Sequence, residues 1–279
     1  MILIVDCGST KAEWVVLENK NVVEMCVTNG FNPNFNELNL LTGIIHDYLN
    51  KVIECKSVTR IFYYGSGCGN DVNVAKVKSV FEKYFTDANV EVCSDVMASC
   101  HALFGNGNGI ACILGTGSNA CLYNGKNIVK NAVSLGYVLG DEGSGCHVGK
   151  QIVHDYFYYT MPNDLRQKFS DEFKLTRDAL IESVYKSPQP SRFLASFAKF
   201  ASENIGNQYI ADLVSKSFNE FIDYYIRPLT KENHGETVGF VGSVAFHFQD
   251  LLKQCLENHH FNVGKIIKSP MEGLIRFYS

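Results

Sequence analysis

Two short turns rich in glycine and hydroxyl residues constrain this chain more than any other feature, because each directly follows a buried apolar strand. The first turn, Asp6–Lys11, follows the run Ile2–Val5. The second, Gly115–Asn119, follows Ile110–Leu114. Glycine lets the backbone approach closely, and successive N–H groups in such a turn form a concave nest for anions. The candidate phosphate-binding residues are Gly8, Ser9, Thr10 and Lys11 in the first nest and Gly115, Thr116, Gly117 and Ser118 in the second.

The predicted elements around the two turns repeat. Three strands, then a helix, a strand, a helix and a strand follow one another in both halves of the chain. We therefore predict an α/β fold of two domains related by duplication, which face a cleft that holds a phosphate chain. The predicted domains are residues 1–108 and 109–279, with a hinge at Gly105–Gly109 and a helical insertion over about 148–230 in the second domain.

Composition excludes several classes of function. The chain has 279 residues, of which 19% are charged, and its net charge is −4 with no block of lysine or arginine. A nucleic-acid or membrane-surface role is disfavoured, because both need a concentrated positive face. No apolar run approaches the ~20 residues that span a bilayer. Met1 is followed at once by a predicted strand rather than by a basic segment, so we expect no secretory signal and a cytoplasmic location.

The ten cysteines favour neither disulfides nor a metal site. No C-x-x-C spacing occurs, and most of the cysteines lie in apolar strands or helices. In a chain without an export signal we interpret them as reduced, buried thiols that act as small hydrophobic residues. The pair His259-His260 has no further ligand at metal-binding spacing, so we place it at a helix end.

Two aspartates end apolar strands at the edge where parallel sheets bind ligands. Asp6 either holds Mg²⁺ beside bound phosphates, directly or through water, or bonds to its own backbone as a turn residue. Asp95 is placed to accept a proton from a substrate hydroxyl that attacks a γ-phosphate. Its alternative role is to cap the following helix, a role that Ser94 can fill instead. Lys11 either contacts phosphate or is a solvated strand residue.

A turn near the end of the chain is a third candidate for nucleotide contacts. Gly242 and Ser243 join a predicted strand to a helix predicted over Val244–Glu257. A ligand can lie against the N-terminus of such a helix, so this turn is expected at the nucleoside end of a nucleotide. An ordinary strand-to-helix turn is the alternative.

Two polar segments are candidates for sugar contacts. The glycine-rich loop Gly136–Gly145 contains Asp141 and Glu142, whose carboxylates can accept hydrogen bonds from sugar hydroxyls. The other segment contains Asn32, just before a helix predicted over Asn36–Val52. The alternatives are a solvent loop and a plain turn.

Together these residues resemble the actin-like and sugar-kinase superfamily, and more narrowly its branch of N-acetylglucosamine kinases and BadF/BadG-type ATPases. The resemblance runs in order along nearly the whole chain, through Asp6–Lys11, Gly115–Asn119, Gly140–Ser144 and Gly239–Ser243. It implies two actin-like (ribonuclease H-like) domains with ATP bound in the cleft. The chain departs from the family in being short, in its first turn Cys7-Gly8-Ser9-Thr10, where many relatives carry a second glycine, and around residues 162–190, which do not align.

The resemblance also implies an activity, the transfer of the γ-phosphoryl group of ATP to the 6-hydroxyl of an amino sugar. Asp95 occupies the place of the family's catalytic aspartate, and Asp6 lies near Mg²⁺. The implied sugar contacts are Asn32, Asn119, Asp141 and Glu142. Members of the family are often homodimers, so the expected partners are the sugar, ATP and a second copy of the chain. N-acetylglucosamine is the expected sugar, and related hexoses differ from it at one or two positions.

Two other functions remain open from the sequence. One is an ATPase that activates a radical dehydratase or reductase through an iron–sulfur cluster shared across a dimer, which requires closely placed, exposed cysteines. The other is a non-catalytic sugar or nucleotide sensor on the same fold.

Overall fold

The computed structural model describes residues 1–46, 57–230 and 235–279. These residues form two compact units. The N-terminal unit comprises Met1–Gly105 together with Pro270–Ser279, and the C-terminal unit comprises Asn106–Ser269.

Five strands form the sheet of the N-terminal unit. They are β1 (Ile2–Cys7), β2 (Lys11–Glu18), β3 (Asn21–Asn29), β4 (Arg60–Gly65) and β5 (Asn89–Ser94). In the order β3-β2-β1-β4-β5, the pairs β1/β2 and β2/β3 are antiparallel, whereas β1/β4 and β4/β5 are parallel. The central strand β1 is buried along most of its length, which explains its continuous apolar run.

The C-terminal unit contains a second sheet of five strands. They are β6 (Gly109–Leu114), β7 (Ser118–Tyr123), β8 (Ile128–Asn131), β9 (Thr237–Val241) and β10 (Asn262–Ile267). The order is β10-β9-β6-β7-β8, with β6/β7 and β7/β8 antiparallel and β6/β9 and β9/β10 parallel. Counted from its first strand, this sheet has the same strand order and the same directions as the N-terminal sheet. The predicted duplication is therefore confirmed in the topology.

The two predicted hairpin turns close the antiparallel part of each sheet. Asn19 and Lys20 have positive φ angles of 48° and 69°, as expected for a two-residue hairpin turn. In the C-terminal unit Gly125 has a φ of 92°. The Oδ1 atom of Asn124 accepts hydrogen bonds from the backbone N–H groups of Lys126 and Asn127, at 3.0 and 2.8 Å, which stabilises this turn.

The described helices before residue 105 are α1 (Leu38–Ile44), α2 (Asp71–Tyr84) and α3 (Asp95–Phe104). The predicted helix Asn36–Val52 corresponds to α1, and its part from residue 47 onward lies outside the described residues. The side chain of Asn70 caps α2 by accepting the N–H of Asn73 at 2.9 Å. The core of this unit is built around aromatic side chains, among them Trp14 and Phe81, whose ring centroids are 6.1 Å apart.

The helical insertion of the C-terminal unit is a series of separate helices. The described helices of this unit are α4 (Gly136–Leu139), α5 (Gly145–Phe157), α6 (Asn163–Phe173), α7 (Arg177–Tyr185), α8 (Pro190–Ser196), α9 (Ala198–Glu203), α10 (Gln208–Phe221), α11 (Ser243–His247) and α12 (Gln249–Asn258). A π-helical turn over Ile222–Ile226 continues α10. In the described part of the chain, no helix combines the length and the apolar character needed to cross a membrane.

Two local predictions in this unit are wrong. The single helix predicted over Val244–Glu257 is divided into α11 and α12 at Phe248, whose φ of −109° and ψ of 22° are not helical. The Phe248 ring is buried in the core, and this packing outweighs the helical pattern of the sequence. The segment Gly136–Gly145, predicted as a flexible loop throughout, contains the short helix α4.

The last helix, α13 (Met271–Tyr278), follows β10 in the chain but belongs to the N-terminal unit, where it packs on α3. The predicted boundary places every residue after 108 in the second domain, whereas these residues pack with the first. The Tyr278 ring stacks on Phe62 with the centroids 3.9 Å apart. The hydroxyl of Tyr64 bonds to the hydroxyl of Tyr278 and to Nδ1 of His101, the latter at 2.7 Å. Burial lowers the pKa of His101 to about 4, so this ring stays neutral at neutral pH.

We expect Gly273→Ala to destabilise the protein, because a Cβ at Gly273 would lie 2.6 Å from the backbone of Ala102 in α3. Overpacking of this kind costs about 1–3 kcal/mol. The control is Gly43→Ala in α1, where none of the described atoms lies within 4 Å of the added Cβ. There alanine should stabilise the helix by up to ~1 kcal/mol. Thermal unfolding measures both variants, and a wild-type Tm for Gly273→Ala would contradict the close packing of α13 on α3.

Candidate active site

The parallel strands of the N-terminal unit bring three polar residues to one edge of the sheet. In the strand register Cys7 lies beside Gly65, and Gly65 lies beside Ser94. Asp6, Ser66 and Asp95 are each next to one of these residues in the chain. Because the carboxyl ends of parallel strands lie at the same edge, these three side chains meet where α/β sheets bind ligands.

Asp95 is the first residue of α3, and its carboxylate is held from two sides. The hydroxyl of Ser66 donates to Oδ2 at 2.9 Å, and the backbone N–H of Val96 donates to Oδ1 at 2.9 Å. Ser94 caps the helix by accepting the N–H of Met97 at 3.3 Å, so Asp95 is not needed as the cap. Burial raises the pKa of Asp95, and the two hydrogen bonds oppose that rise. The result is a carboxylate fixed in place whose pKa lies above its usual range.

Asp6 lies among other charged groups at the end of β1. Burial, Glu13 and Asp95 raise its pKa to about 7, whereas Lys11 lowers it. Glu13 is directly opposite Asp6 in the β1/β2 register, and its Oε1 is 2.6 Å from Nζ of Lys11. A carboxylate whose pKa is raised by burial and by neighbouring carboxylates favours a bound cation, and carboxylate oxygens are the ligands that Mg²⁺ prefers.

These residues fit a Mg²⁺ ion that binds together with a substrate rather than by protein ligands alone. Among the described residues, no group of three His, Cys, Asp or Glu side chains is arranged to hold a metal by itself. Mg²⁺ commonly takes only one or two protein carboxylates and completes its shell with phosphate oxygens and water. The carboxylate of Asp6 suits that arrangement.

The first turn is held in shape by hydrogen bonds and by one close backbone contact. The N–H of Gly8 donates to the carbonyl of Lys11, and the N–H of Gly30 donates to the carbonyl of Thr10, both at 3.0 Å. A Cβ at Gly30 would lie 2.1 Å from the carbonyl oxygen of Gly8, so only glycine fits there. Gly8 itself has neither a positive φ nor a comparable contact.

Asn32 is bound to the first turn. It is buried, and its Nδ2 donates to Oγ of Ser9 at 3.0 Å. Its Oδ1 accepts the N–H of Asn34 at 3.0 Å. The structure thus brings a residue predicted to contact a sugar against the predicted phosphate turn, within the same unit.

The second turn is bound to Asp141 in the C-terminal unit. A Cβ at Gly117 would lie 2.8 Å from Oδ2 of Asp141, and the N–H of Ser118 donates to that carboxylate. At Gly115 the described atoms leave the Cβ position open, so the backbone there is accessible to a ligand. The side chain of Asn119 accepts the N–H of Ala120 at 2.9 Å, on the strand that leaves the turn.

Asp141 is held in an unusual conformation. Its φ is 58°, in the left-handed region that non-glycine residues seldom adopt, and its side chain is buried. The N–H of Asp141 donates to the hydroxyl of Tyr225 at 3.1 Å, and its carbonyl accepts the N–H of Ser144 at 3.1 Å. Burial raises its pKa, and neighbouring Glu142 adds to the rise. A buried carboxylate on a strained backbone beside a glycine turn is typical of a functional site.

Hydrogen bonds at the start of α5 join the loop that contains Asp141 to the second turn. The N–H groups of Gly145 and Cys146 donate to the carbonyls of Gly115 and Thr116, at 2.8 and 3.1 Å. The hydroxyl of Ser144 caps α5 by accepting the N–H of His147 at 3.1 Å. The predicted sugar loop and the predicted phosphate turn are therefore one bonded structure in this unit.

The third candidate turn also lies against the second. Gly242 has a φ of 128°, and a Cβ there would lie 2.2 Å from the carbonyl oxygen of Leu114. Its N–H donates to the carbonyl of Ile267 at 3.0 Å. Ser243 is exposed at the start of α11 and does not cap it.

Several residues at these sites were not among the sequence candidates. Ser66 binds Asp95, Glu13 lies beside Asp6, and Gly30 supports the first turn. The one sequence signal for Ser66 is its place in Gly65-Ser66-Gly67 at the end of a strand. The cysteines in the described ranges are all free thiols, most of them buried, and Cys55 lies outside those ranges.

The duplicated sheets, each with a glycine turn after its first strand, define an actin-like ATPase fold. A family model confirms this class. The chain belongs to the BadF/BadG/BcrA/BcrD ATPase family, whose model matches residues 5–275. The family resemblance and the fold predicted from the sequence are thereby both confirmed.

Solved structures show the same relationship. A protein from Porphyromonas gingivalis that is proposed to be an N-acetylglucosamine kinase is 34% identical, with a TM-score of 0.95 over 100% of this chain and 98% of that chain. A protein from Chromobacterium violaceum with the same proposed activity is 14% identical, with a TM-score of 0.67 over 100% and 98% of the two chains. The ethanolamine utilization protein EutJ from Carboxydothermus hydrogenoformans is 12% identical, with a TM-score of 0.57 over 99% and 89%. The last two show the fold alone. Among curated proteins, no sequence matches this chain.

We expect Ser66→Ala to raise the pKa of Asp95 further, because the variant removes a hydrogen bond that favours the ionised carboxylate. A hydrogen bond to a charged group is worth about 1.5–3 kcal/mol, which corresponds to a shift of about one pKa unit or more. Titration of the ¹³C carboxyl resonances in aspartate-labelled protein measures this shift, with Asp95→Asn to assign the signal.

The control for this titration is Ser99→Ala. The Ser99 hydroxyl donates to the backbone carbonyl of Asp95 at 3.3 Å rather than to its carboxylate, so the pKa should change little. An Asp95 pKa that is the same in Ser66→Ala and in the wild type would show that the hydroxyl does not act on the carboxylate.

Proposed function

We propose that this protein transfers the γ-phosphoryl group of ATP to the 6-hydroxyl of an amino sugar, with N-acetylglucosamine as the substrate. The observation that carries the proposal is the carboxylate of Asp95, which Ser66 and the N-terminus of α3 fix at the carboxyl edge of the sheet. Its raised pKa brings it closer to neutral pH, where a general base works best. The 34% identity over the full chain to a protein proposed to be an N-acetylglucosamine kinase supports the choice of sugar.

On the nucleotide side, the proposal assigns the ATP phosphates to the two glycine turns. Backbone N–H groups in such turns bind phosphate oxygens, and the open space at Gly115 leaves room for them. Asp6 would hold Mg²⁺, which neutralises charge on the phosphate oxygens when it is bound. Lys11 is paired with Glu13 at 2.6 Å and adds positive charge beside the first turn. Gly242 and Ser243 are assigned to the nucleoside end.

On the sugar side, the proposal assigns hydroxyl recognition to Asn32, Asn119, Asp141 and Glu142. Asn32 and Asn119 each use part of their hydrogen-bonding capacity inside the protein and keep further donor or acceptor positions. The strained backbone of Asp141 orients a buried carboxylate, which can accept hydrogen bonds from hydroxyl groups of the sugar.

During transfer Asp95 accepts the proton of the attacking hydroxyl and then carries it as the carboxylic acid. The family resemblance extends the proposal to a homodimer in the cytoplasm.

Asp95→Asn should lower kcat by about 10²–10⁴-fold, because an amide cannot accept the proton of the hydroxyl. The affinity for ATP should stay near the wild-type value, since the phosphates are assigned to other residues. ADP release in the presence of N-acetylglucosamine measures kcat, and calorimetric titration measures ATP binding. The matched control is Asp87→Asn, an exposed position before β5, which should behave as wild type.

The ADP-release assay also distinguishes the candidate functions. Near-normal turnover of Asp95→Asn would remove the general base from the proposal. ATP hydrolysis by the wild type that is independent of any sugar would favour the second candidate, an ATPase of the kind for which the family is named.

A further inference from the structure

A chain of hydrogen bonds connects the loop Gly140–Ser144 to helix α10. The N–H of Gly143 donates to Oγ of Ser217 at 3.1 Å, and that oxygen is 2.7 Å from Nδ1 of His147. On the other side of the ring, Nε2 of His147 is 3.4 Å from Oε2 of Glu220. The Ser217 side chain is 1% exposed, so water cannot replace these bonds.

The direction of the first bond is fixed, because the backbone N–H of Gly143 can only donate to the Ser217 oxygen. The second bond has two allowed forms, since the Ser217 hydroxyl carries one proton and two lone pairs. In a neutral ring with its proton on Nε2, Nδ1 of His147 accepts the serine proton, and with the proton on Nδ1 the ring donates instead. In either form the Ser217 oxygen connects the loop amide to the His147 ring.

The surroundings of His147 favour a neutral ring. Burial lowers the pKa of His147, and the charges of Lys150 and Lys216 lower it as well, whereas Glu142 raises it. Glu220 also faces the ring, at 3.4 Å. A protonated ring would be a donor at both nitrogens, so its Nδ1 could only donate to the Ser217 oxygen.

Asp141 is the residue of the loop that needs an external support of this kind. Its φ of 58° lies in the left-handed region, which costs a non-glycine residue energy and persists only where the surrounding structure holds it. Gly143 adopts its own φ of 75° without strain, and a Cβ there would lie 2.9 Å from Cβ of Phe221. The loop backbone therefore lies directly against the end of α10.

We infer that Ser217 is a positioning residue which, together with His147, holds the loop Gly140–Ser144 in the conformation that binds the sugar. This inference rests on the proposed function for its substrate. The bonds from Gly145 and Cys146 to the second turn do not involve Ser217. Loss of the chain should therefore weaken sugar binding and leave ATP binding unchanged.

Steady-state kinetics of Ser217→Ala tests the inference. The KM for N-acetylglucosamine should rise by about 3- to 10-fold, the effect of one lost hydrogen bond, with little change in the KM for ATP. The matched control is Ser215→Ala on the same helix, whose side chain bonds to Cys255 rather than to the loop or to His147. Equal rises in both KM values, or no rise for the sugar, would overturn the inference.

Two substitutions of His147 test which side of the ring supports the loop. In His147→Asn the side-chain amide stands near the position of Nδ1 and can bond to Ser217 in either direction, so the KM for the sugar should remain close to wild type. In His147→Gln the longer side chain reaches toward Glu220 and gives up the Ser217 bond, so this variant should resemble Ser217→Ala. The opposite ranking of the two variants would overturn the assignment of this support to the Nδ1 side.

Hydrogen exchange of the loop amides gives a readout that needs no substrate. The amides of residues 140–144 should exchange faster in Ser217→Ala and His147→Gln than in the wild type, Ser215→Ala or His147→Asn. Equal exchange in all five proteins would overturn the positioning role, even if the variants had a lower Tm. If the wild type phosphorylates no sugar, the proposed function fails, and the exchange data still decide whether the chain holds the loop.

Discussion

The rest of the structure depends on one constraint, the parallel pair that the first strand of each unit forms with a later strand of its sheet. The pairs β1/β4 and β6/β9 place the carboxyl ends of these strands at one edge of each sheet. Most of the residues assigned to chemistry follow a strand at that edge or are bonded to a residue that does. The antiparallel hairpins on the other side of each first strand return the chain from the glycine turns, so that each turn is tied to its sheet at both ends.

This strand arrangement buries carboxylates at the edge of each sheet, which is energetically unfavourable. A carboxylate removed from water loses hydration, and it remains ionisable only where hydrogen bonds or positive charge compensate. Asp95 receives its compensation from Ser66 and the start of α3, and Asp141 from the N–H of Ser118 and from Lys150. Asp6 is compensated by Lys11, and burial raises its pKa to about 7. A bound cation would complement the charge of its carboxylate.

Local features of the sequence were sufficient to predict most of the strands, the glycine turns and the place of Asp95 at the end of a strand, because each depends on neighbours within a few residues. Contacts between distant residues could not be predicted in this way. Ser66 and Asp95 are 29 positions apart, and Gly143 and Ser217 are 74 apart. The same reason explains the break at Phe248, where tertiary packing overrides a helical pattern.

The central claim is that sugar phosphorylation, rather than ATP hydrolysis alone, is the reaction of this fold. Its most direct test is ADP release by the purified wild-type protein with ATP and Mg²⁺, across a panel of hexoses and N-acetylhexosamines and without sugar, with the product identified by ³¹P NMR. The account predicts release that depends on sugar, is fastest with N-acetylglucosamine, and yields its 6-phosphate. Release at the same rate without sugar, or ATP binding without any phosphorylated product, would contradict it.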